Sequence, residues 1–496
     1  MPHSPETMSR LADLVGGTVV GDPTTVLTDV VHDSRQAHSG ALYVAMRGER
    51  SDGHDFAADA VAAGASAVCV DHRLAIGVPQ LIVDDTRQVI GQVASAVHDH
   101  PSASLEVIGV TGTNGKTTVT HYVETIAGRA GRTTGLIGTI HTRSAGVETA
   151  TSLTTPEASD FQRLLGAMRD DGVDLVAVEV SSHALEFGRV RGTRFSVAAF
   201  TNLSQDHLDF HGDMDAYRKA KERLFDEYEV GTAVINIDDP AGAALADRYQ
   251  GNMLTVGQGG DFSVHSVETH SAYSTFTVEV ARGGYRREAP VIGDFNVANL
   301  ILATACCVAV GLDHDVVFDA LPHVGGVPGR FQVVSGDDPI TVIVDYAHTP
   351  EGVATAVETG RKLSQGRVVA LIGAGGDRDR AKRPAMGEAV SSADLAVITS
   401  DNPRSEDPEE IASGVLSGLR PGSDHRLEID RRRAIEIAID AAEDGDVVLI
   451  LGRGHETMQD LGSEKIPFDD REVAAASLAR RRSAAGSGDG SASMST

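Results

Sequence analysis

Short apolar, β-branched runs recur along the chain, spaced so that a helix fits between most of them. In the first hundred residues they fall at 42–46, 66–70 and 81–83, with alanine-rich helical patterns between or after them. The middle of the chain brings runs at 107–110, 175–180, 196–201 and 233–237, and the last third has them at 341–344, 368–372, 395–399 and 447–451. Strands that are apolar almost throughout and alternate with helices predict parallel sheets covered on both faces, an α/β fold. The pattern breaks at the polar, proline-containing stretch 98–104 and again at Gly325-Gly-Val-Pro-Gly329. These breaks predict an N-terminal domain over 1–103, a central domain over 104–328 and a C-terminal domain over 329–482. The small polar residues of 483–496 bury too little surface to order themselves and are expected to form a disordered tail. No internal repeat is visible.

Length agrees with that division, since 496 residues exceed what one core supports. A composition of 41% hydrophobic and 23% charged residues is that of an ordinary globular protein. The net charge of −28 argues against nucleic acid or an anionic membrane as a general partner. The stretch 300–312 is shorter than the ~20 residues that span a bilayer and reads as a buried helix. The N-terminus has no basic segment leading into an apolar one, so no signal peptide is expected. Three cysteines, Cys69, Cys306 and Cys307, make no disulfide framework and suit a reducing, cytoplasmic compartment.

The sharpest chemical pattern is Val107-Ile-Gly-Val-Thr-Gly-Thr-Asn-Gly-Lys-Thr-Thr118, an apolar strand, a glycine turn, GKTT and a helical pattern in order. Glycines let backbone N–H groups face a phosphate, the helix N-terminus favours negative charge, and Lys116 reaches the terminal phosphates. Thr117 supplies the hydroxyl that such loops give to Mg²⁺. The general pattern has glycine where this chain has Val110, so the loop is a variant built on Gly112 and Gly115. The alternative is a helix cap after a strand.

Glu179 ends an apolar strand run, where a carboxylate beside a phosphate loop can hold a hard cation or cap the next segment. The segment 200–213, FTNLSQDHLDFHGD, packs His, Asp and Asn behind another strand, either as a metal site or as an ordinary polar loop. In 215–225, helical spacing puts Lys221 on the same face as Tyr217, Leu224 and Phe225, while Lys219 and Arg223 point elsewhere. An inward lysine must find a partner, lose its charge or be modified, or else it snorkels to water. Three strand ends in the last third carry charge: Gly375-Gly-Asp-Arg378, Asp401-Asn-Pro-Arg404 and Gly452-Arg-Gly-His-Glu456. Ligands bind outside the carboxyl ends of parallel strands, so these loops are expected to line one crevice. Arginines suit carboxylates and acids suit ammonium groups, so both signs together fit a zwitterion, the alternative being mutual surface salt bridges.

GVTGTNGKTT resembles the ATP loop of the Mur ligases, the ATP-dependent amide-forming enzymes of peptidoglycan synthesis, and the resemblance runs from about Thr28 to Leu478. It implies an N-terminal UDP-binding α/β domain, a central P-loop ATPase domain with a parallel sheet, and a C-terminal Rossmann-like domain. ATP is then a co-substrate, met by Gly112, Thr113, Asn114, Gly115, Lys116, Thr117 and Thr118 of the loop and by Asn299, Arg330, Asp345 and His348. The pattern TNLxxDHLDxHG implies that His207 contacts a second metal. In the family the lysine matching Lys221 is carbamylated by CO₂ and helps to hold Mg²⁺ beside Thr117 and Glu179. Lys116, Lys221 and His207 are thus the expected catalytic residues. Asp33-Ser34-Arg35 and Gly48-Glu-Arg-Ser-Asp-Gly53 resemble loops that hold the uridine nucleotide, although Glu49-Arg50-Ser51 departs from the usual variants. Thr154, Thr155, Ser181 and Arg189 match positions that hold the muramoyl dipeptide.

Asp401-Asn402-Pro403-Arg404 matches the motif of Mur ligases that add meso-diaminopimelate as third residue of the stem peptide. Lysine-adding relatives differ at the arginine, and diaminopimelate has a distal carboxylate that lysine lacks. Arg404 with Arg378 can pair with it, and the resemblance assigns Gly452 and Glu456 to the same amino acid. The expected reaction is ATP-dependent addition of that amino acid to the D-glutamate γ-carboxylate of UDP-MurNAc-L-Ala-D-Glu through an acyl phosphate. The expected enzyme is a cytoplasmic monomer with small-molecule partners alone. Two rivals share the phosphate loop. A folylpolyglutamate synthase needs neither DNPR nor the N-terminal domain, and a non-catalytic nucleotide-binding regulator has no use for an inward Lys221.

Overall fold

The computed structural model describes residues 6–48, 51–151, 153–336 and 338–488. Three sheets of mixed but mainly parallel strands organise the chain, each built from the runs of one third of the sequence. The first is five-stranded, in the order Thr18–Val20, Gln80–Ile82, Ala67–Val70, Ala41–Val44 and Asp29–Val31. Only Thr18–Val20 runs antiparallel in it. Residues 49 and 50, part of the expected uridine loop, lie outside the described residues.

The second sheet has eight strands, with Glu106–Thr111 at its centre between Leu175–Glu179 and Phe195–Phe200. All three are parallel and almost wholly buried, which explains their unbroken apolar sequences. Helix Lys116–Arg129 leaves the central strand and is covered by helix Asp294–Ala309, whose Leu300, Ile301 and Cys307 share a core with Val119, Val123 and Ile126. The long apolar run near residue 300 is therefore an interior helix. A three-stranded antiparallel meander, Ser263–Thr269, Ser274–Val280 and Gly283–Ala289, flanks this core and was not anticipated from the pattern. Its buried face is narrow, with Phe276 and Val278 inward and charged residues outward.

The third sheet is six-stranded, with Thr341–Asp345, Val447–Leu451, Val368–Ile372 and Leu395–Ile398 adjacent and parallel. The last strand in sequence is inserted between the first two long ones, so the carboxyl ends of Thr341–Asp345, Val447–Leu451 and Val368–Ile372 open on one crevice. Beneath it the fully buried pair Arg431–Asp470, 2.7 Å apart, ties helix Arg431–Asp440 to helix Asp470–Gly488. That last helix continues past Arg482, a correction to the expectation of a tail from residue 483, and 489–496 lie outside the described residues. The first sheet is seated on the second through helix Ala158–Asp170, where Arg163 donates to Asp29 Oδ1 at 3.0 Å and to the Val30 carbonyl at 2.7 Å. Among the described residues no helix is long and apolar enough to cross a membrane.

Candidate active site

The central strand Glu106–Thr111 delivers the chain into a tight loop before the helix that starts at Lys116. At Gly112 (φ 143°) a side chain would meet Thr201 Oγ1 at 1.8 Å, and at Gly115 (φ 87°) it would meet Asn299 Oδ1 at 2.4 Å. Both glycines are thus required by close approach and by backbone conformation. Val110, the residue that departs from the general loop pattern, is a buried member of the strand, paired in register with Glu179. The polar loop after Phe195–Phe200 braces the phosphate loop from behind. Thr201 Oγ1 donates to the Asn114 carbonyl (2.6 Å), and Asn202 accepts from the backbone N–H groups of Thr113 and Asn114 through its carbonyl and Oδ1 (both 2.9 Å). Lys116 Nζ curls over the loop and donates to the carbonyls of Gly112 (2.8 Å) and Thr113 (2.9 Å). Burial lowers its pKa against the opposing pull of Glu179 and Asp206.

Glu179 ends the neighbouring strand, 1% exposed. Thr117 Oγ1 donates to its Oε2 at 2.9 Å, and Thr139 donates to Oε1 through its backbone N–H (2.8 Å) and to Oε2 through its hydroxyl (3.0 Å). Arg330 Nη2 in turn donates to Thr117 Oγ1 at 2.8 Å while its guanidinium lies 4.4 Å from the centre of the Tyr346 ring. A hydroxyl and a carboxylate in contact beside a phosphate loop are the hard oxygen donors that a divalent cation such as Mg²⁺ takes.

Lys221 is 1% exposed on the inward face of helix Met214–Asp226, as its spacing predicts. Its Nζ donates to the Gly112 carbonyl at 2.8 Å, the same oxygen that Lys116 uses, and lies 4.3 Å from the centre of the Tyr217 ring. Burial, reinforced by Lys116, holds its pKa well below that of a free lysine. His207 adopts a left-handed backbone (φ 54°) with Nε2 3.3 Å from Asp206 Oδ2, and burial pushes its pKa down to about 3. A neutral imidazole is the form that binds a metal.

Across the cleft, Asp345 ends its strand and accepts from the backbone N–H groups of Phe331 (2.7 Å) and Ala347 (2.8 Å). His348 Nε2 lies 3.4 Å from Asp206 Oδ2, and Lys382 Nζ lies 3.3 Å from Asp206 Oδ1. Asp206 and Lys382 are both buried, so an ion pair bridges the second and third sheets. Neither residue was singled out from sequence. Asp206 stands inside the quoted histidine-rich motif, but Lys382 lies in a charged stretch that reads as solvated surface. Thr139 was also missed, because the strand it follows, Thr134–Ile137, is short and contains glycine.

The three charged strand ends meet here. Asn402 Nδ2 donates to Glu456 Oε2 (2.7 Å), Arg404 Nη1 donates to the Gly376 carbonyl (2.6 Å), and a side chain at Gly452 would meet Asp401 Oδ2 at 2.6 Å. The Pro403 carbonyl lies so close to Gly376 that a Cβ there would be 1.9 Å away. Arg404 holds a left-handed φ of 51°. Burial and the neighbouring Asp401 raise the Glu456 pKa. Arg378 makes no hydrogen bond or ion pair among the described residues, a free guanidinium at the rim of the crevice.

Most of these groups line one cleft of about 500 Å³, including Thr113 to Thr118, Thr154, Glu179, Ser181, His207, Asn299, Arg330, Asp345, His348, Arg378, Asp401, Asn402, Arg404, Gly452 and Glu456. Neither Lys221 nor Gly112 lines it; their shared hydrogen bond lies beneath the phosphate loop. Thr155 lies just behind the lining, donating to the Glu179 carbonyl (2.7 Å), and Arg189 reaches the Thr155 carbonyl (3.4 Å). Ser34 stands apart, in a short 3₁₀ turn of the first sheet's domain. A phosphate loop on one wall and charges of both signs on the other form the architecture of an enzyme that joins an activated acid to an amino acid.

Comparison with known proteins gives the same class. The Mur ligase family catalytic domain matches residues 27–104, the Mur ligase middle domain 110–307, and the Mur ligase glutamate ligase domain 329–454. The chain is 44% identical to the UDP-N-acetylmuramoyl-L-alanyl-D-glutamate–2,6-diaminopimelate ligase of Geobacillus thermodenitrificans, covering 93% of this chain and 96% of that protein. A solved structure of a ligase with the same name superposes with a TM-score of 0.70 at 31% identity, covering 97% of this chain and all of that one. The MurF ligase of Thermotoga maritima in complex with ADP, 20% identical, shares the fold at a TM-score of 0.65 over 91% of this chain and 98% of its own. The chain belongs to the Mur ligase family of ATP-dependent, ADP-forming amide ligases.

Proposed function

We propose that this ligase adds meso-diaminopimelate to the γ-carboxylate of D-glutamate in UDP-MurNAc-L-Ala-D-Glu, a step of peptidoglycan precursor synthesis that consumes one ATP. The observation that carries the reading is that the phosphate-loop lysine and the DNPR arginine line the same cleft. A carboxylate cannot be attacked by an amine directly, because its leaving group would be oxide. Transfer of the ATP γ-phosphoryl group onto it gives an acyl phosphate and ADP. The diaminopimelate amine, as the free base, then attacks the carbonyl carbon, and the tetrahedral intermediate expels phosphate to leave the amide, the amine's proton passing to solvent or a nearby base.

In this reading Gly112, Thr113, Asn114, Gly115, Lys116, Thr117 and Thr118 cradle the triphosphate, with Asn299, Arg330, Asp345 and His348 on the same nucleotide. Thr117, Glu179 and a carbamate on Lys221 would hold Mg²⁺, with His207 at a second metal, and the bound cations would neutralise the charge of the transferring phosphoryl group. Ser34, Thr154, Thr155, Ser181 and Arg189 hold the nucleotide-sugar dipeptide. Arg378, Asp401, Asn402, Pro403, Arg404, Gly452 and Glu456 hold diaminopimelate, arginines toward carboxylates and Glu456 toward an ammonium group. The domains proposed are 1–103, 104–328 and 329–482, with the cleft between the second and third excluding water when it closes. The substrates are cytoplasmic metabolites, so the enzyme is placed there, as a monomer.

Phosphate release measured with UDP-MurNAc-L-Ala-D-Glu and ATP, with meso-diaminopimelate, L-lysine or no amino acid, tests the reading. Multiple turnovers with diaminopimelate alone are expected. Preference for lysine overturns it.

A further inference from the structure

The side chains of the Asp401–Arg404 loop hold one another inside the crevice, and a second set of bonds reaches the same loop from outside it. These come from a two-stranded hairpin, Met458–Asp460 paired antiparallel with Lys465–Pro467, no residue of which lines the cleft. Gln459, 5% exposed, donates from Nε2 to the Asp401 carbonyl at 2.6 Å. The Asp460 backbone N–H donates to Asn402 Oδ1 at 2.9 Å, and the Asp460 carbonyl accepts from the Arg404 N–H at 3.2 Å. Three residues of the loop therefore rest on two consecutive residues of the hairpin.

These bonds decide what the loop presents to the cleft. With Oδ1 taken by the hairpin, the Asn402 amide turns Nδ2 inward, where it donates to Glu456 Oε2 at 2.7 Å. Arg404 stands in the left-handed region (φ 51°), a conformation costly for a residue with a Cβ and kept only where the surroundings determine it. The Asp460 carbonyl fixes the N–H of Arg404 on one side, and the Gly376 carbonyl accepts from its guanidinium at 2.6 Å on the other. The turn of the hairpin closes on the same point: a Cβ at Gly462 (φ 83°) would meet the Arg404 carbonyl oxygen at 2.1 Å. The Gly462 N–H donates to Asp460 Oδ1 at 3.0 Å, which ties the turn to the residue that carries two of the three bonds. Those two come from backbone, so Gln459 supplies the one that a side-chain substitution removes.

We propose that the 458–467 hairpin is the template of the amino-acid site and that Gln459 is a positioning residue for Arg404, setting from outside the cleft how strongly the distal carboxylate is read. The proposal rests on the function given above, in which Arg404 pairs with that carboxylate. Gln459→Met keeps the length of the side chain and removes the donor. In this variant kcat/KM for meso-diaminopimelate should fall about ten-fold relative to that for L-lysine, which has no distal carboxylate to place. ADP formed in a single turnover from ATP and UDP-MurNAc-L-Ala-D-Glu without the amino acid should be unchanged. A folded variant whose preference for diaminopimelate stays within about two-fold of wild type overturns the template. In an Arg404→Ala background the same change should move the preference by less than about two-fold, because its effect passes through Arg404. A further fall of about ten-fold in that background overturns the assignment to Arg404. Should Gln459→Met misfold, Gly462→Ala at the exposed turn decides: a lowered preference supports the template, and an unchanged one overturns it. If the wild-type enzyme takes lysine as readily as diaminopimelate, the function itself falls, and the template with it.

Discussion

On the central-domain wall of the cleft, the groups around Lys116 come from one strand–loop–helix junction whose backbone is braced: Thr111, Thr113 and Asn114 are tied to Thr201 and Asn202. On the C-terminal wall, the groups around Arg404 come from three strand ends and are held largely by one another, as Asn402 holds Glu456 and Gly376 holds Arg404. A wall built on backbone tolerates few sequences but fixes its geometry, whereas a wall built on side chains can be retuned for a new amino acid by changing a few residues. Phosphoryl transfer and the choice of amino acid are thereby given different supports.

The comparison predicts the largest loss where support is most rigid. Lys116→Met should lower ADP formation by about 10³-fold, because a preorganised donor to developing charge cannot be replaced by a mobile water. Circular dichroism should show an intact fold, since among the described residues the Lys116 side chain hydrogen-bonds two loop carbonyls and no more. Retention of activity within ten-fold would mean that the nucleotide lies elsewhere.

Arg404→Ala comes next. Loss of the guanidinium leaves the distal carboxylate of diaminopimelate unpaired, and kcat/KM for that substrate should fall by about 10²–10³-fold while the low activity with lysine is unchanged. An equal loss for both amino acids would show that Arg404 serves the loop through its bond to Gly376 instead of reading the substrate.

The contrast also explains what the sequence made visible. The phosphate loop is legible because Gly112 and Gly115 are forced by close contacts with Thr201 and Asn299, so physics leaves a mark at fixed spacing. Lys221 was legible as an inward lysine through helical periodicity alone, but its meeting with Gly112 was not, since the two are joined only by folding. Asp206 and Lys382 are 176 positions apart and carry no local pattern at all. The meander over 263–289 escaped notice because half of each strand faces solvent and the apolar positions are too few to stand out. The last helix runs on to Gly488, into the stretch expected to be a tail, because small residues do not forbid a helix that is already nucleated.

Lys221 tests whether the group beneath the phosphate loop belongs to the rigid wall. Burial and Lys116 lower its pKa, which favours the uncharged amine that the proposed carbamate requires. Activity in CO₂-depleted buffer should fall by about 10–100-fold and return with bicarbonate. A carbamate carbonyl signal from ¹³C-bicarbonate should be absent in Lys221→Ala.

A smaller, graded effect is expected at Glu456. Its pKa is raised by burial and by Asp401, so the carboxylate that would face an ammonium group is lost as pH falls through a value above the ordinary 4.5. KM for diaminopimelate should rise with falling pH in that range, by up to about ten-fold per unit, while KM for ATP stays flat. Glu456→Gln should have a high KM that no longer depends on pH there.

The smallest effect should come from the bridge between the walls. Asp206 contacts Lys382 at 3.3 Å and His348 at 3.4 Å, and its own neighbour His207 at 3.3 Å, so it keeps two imidazole partners when the lysine is removed. Lys382→Met would leave Asp206 with two imidazoles, whereas Asp206→Asn would leave Lys382 buried beside no carboxylate. The second change should therefore cost more than the first. The double variant should recover part of the loss, with a coupling of about 1–3 kcal/mol in a double-mutant cycle on kcat/KM. Because the pair spans two sheets, its loss should also show as a larger radius of gyration in small-angle scattering with ATP bound. Additive losses without expansion would mean that the two walls are held together by the apolar packing around Phe295 and Phe331 alone.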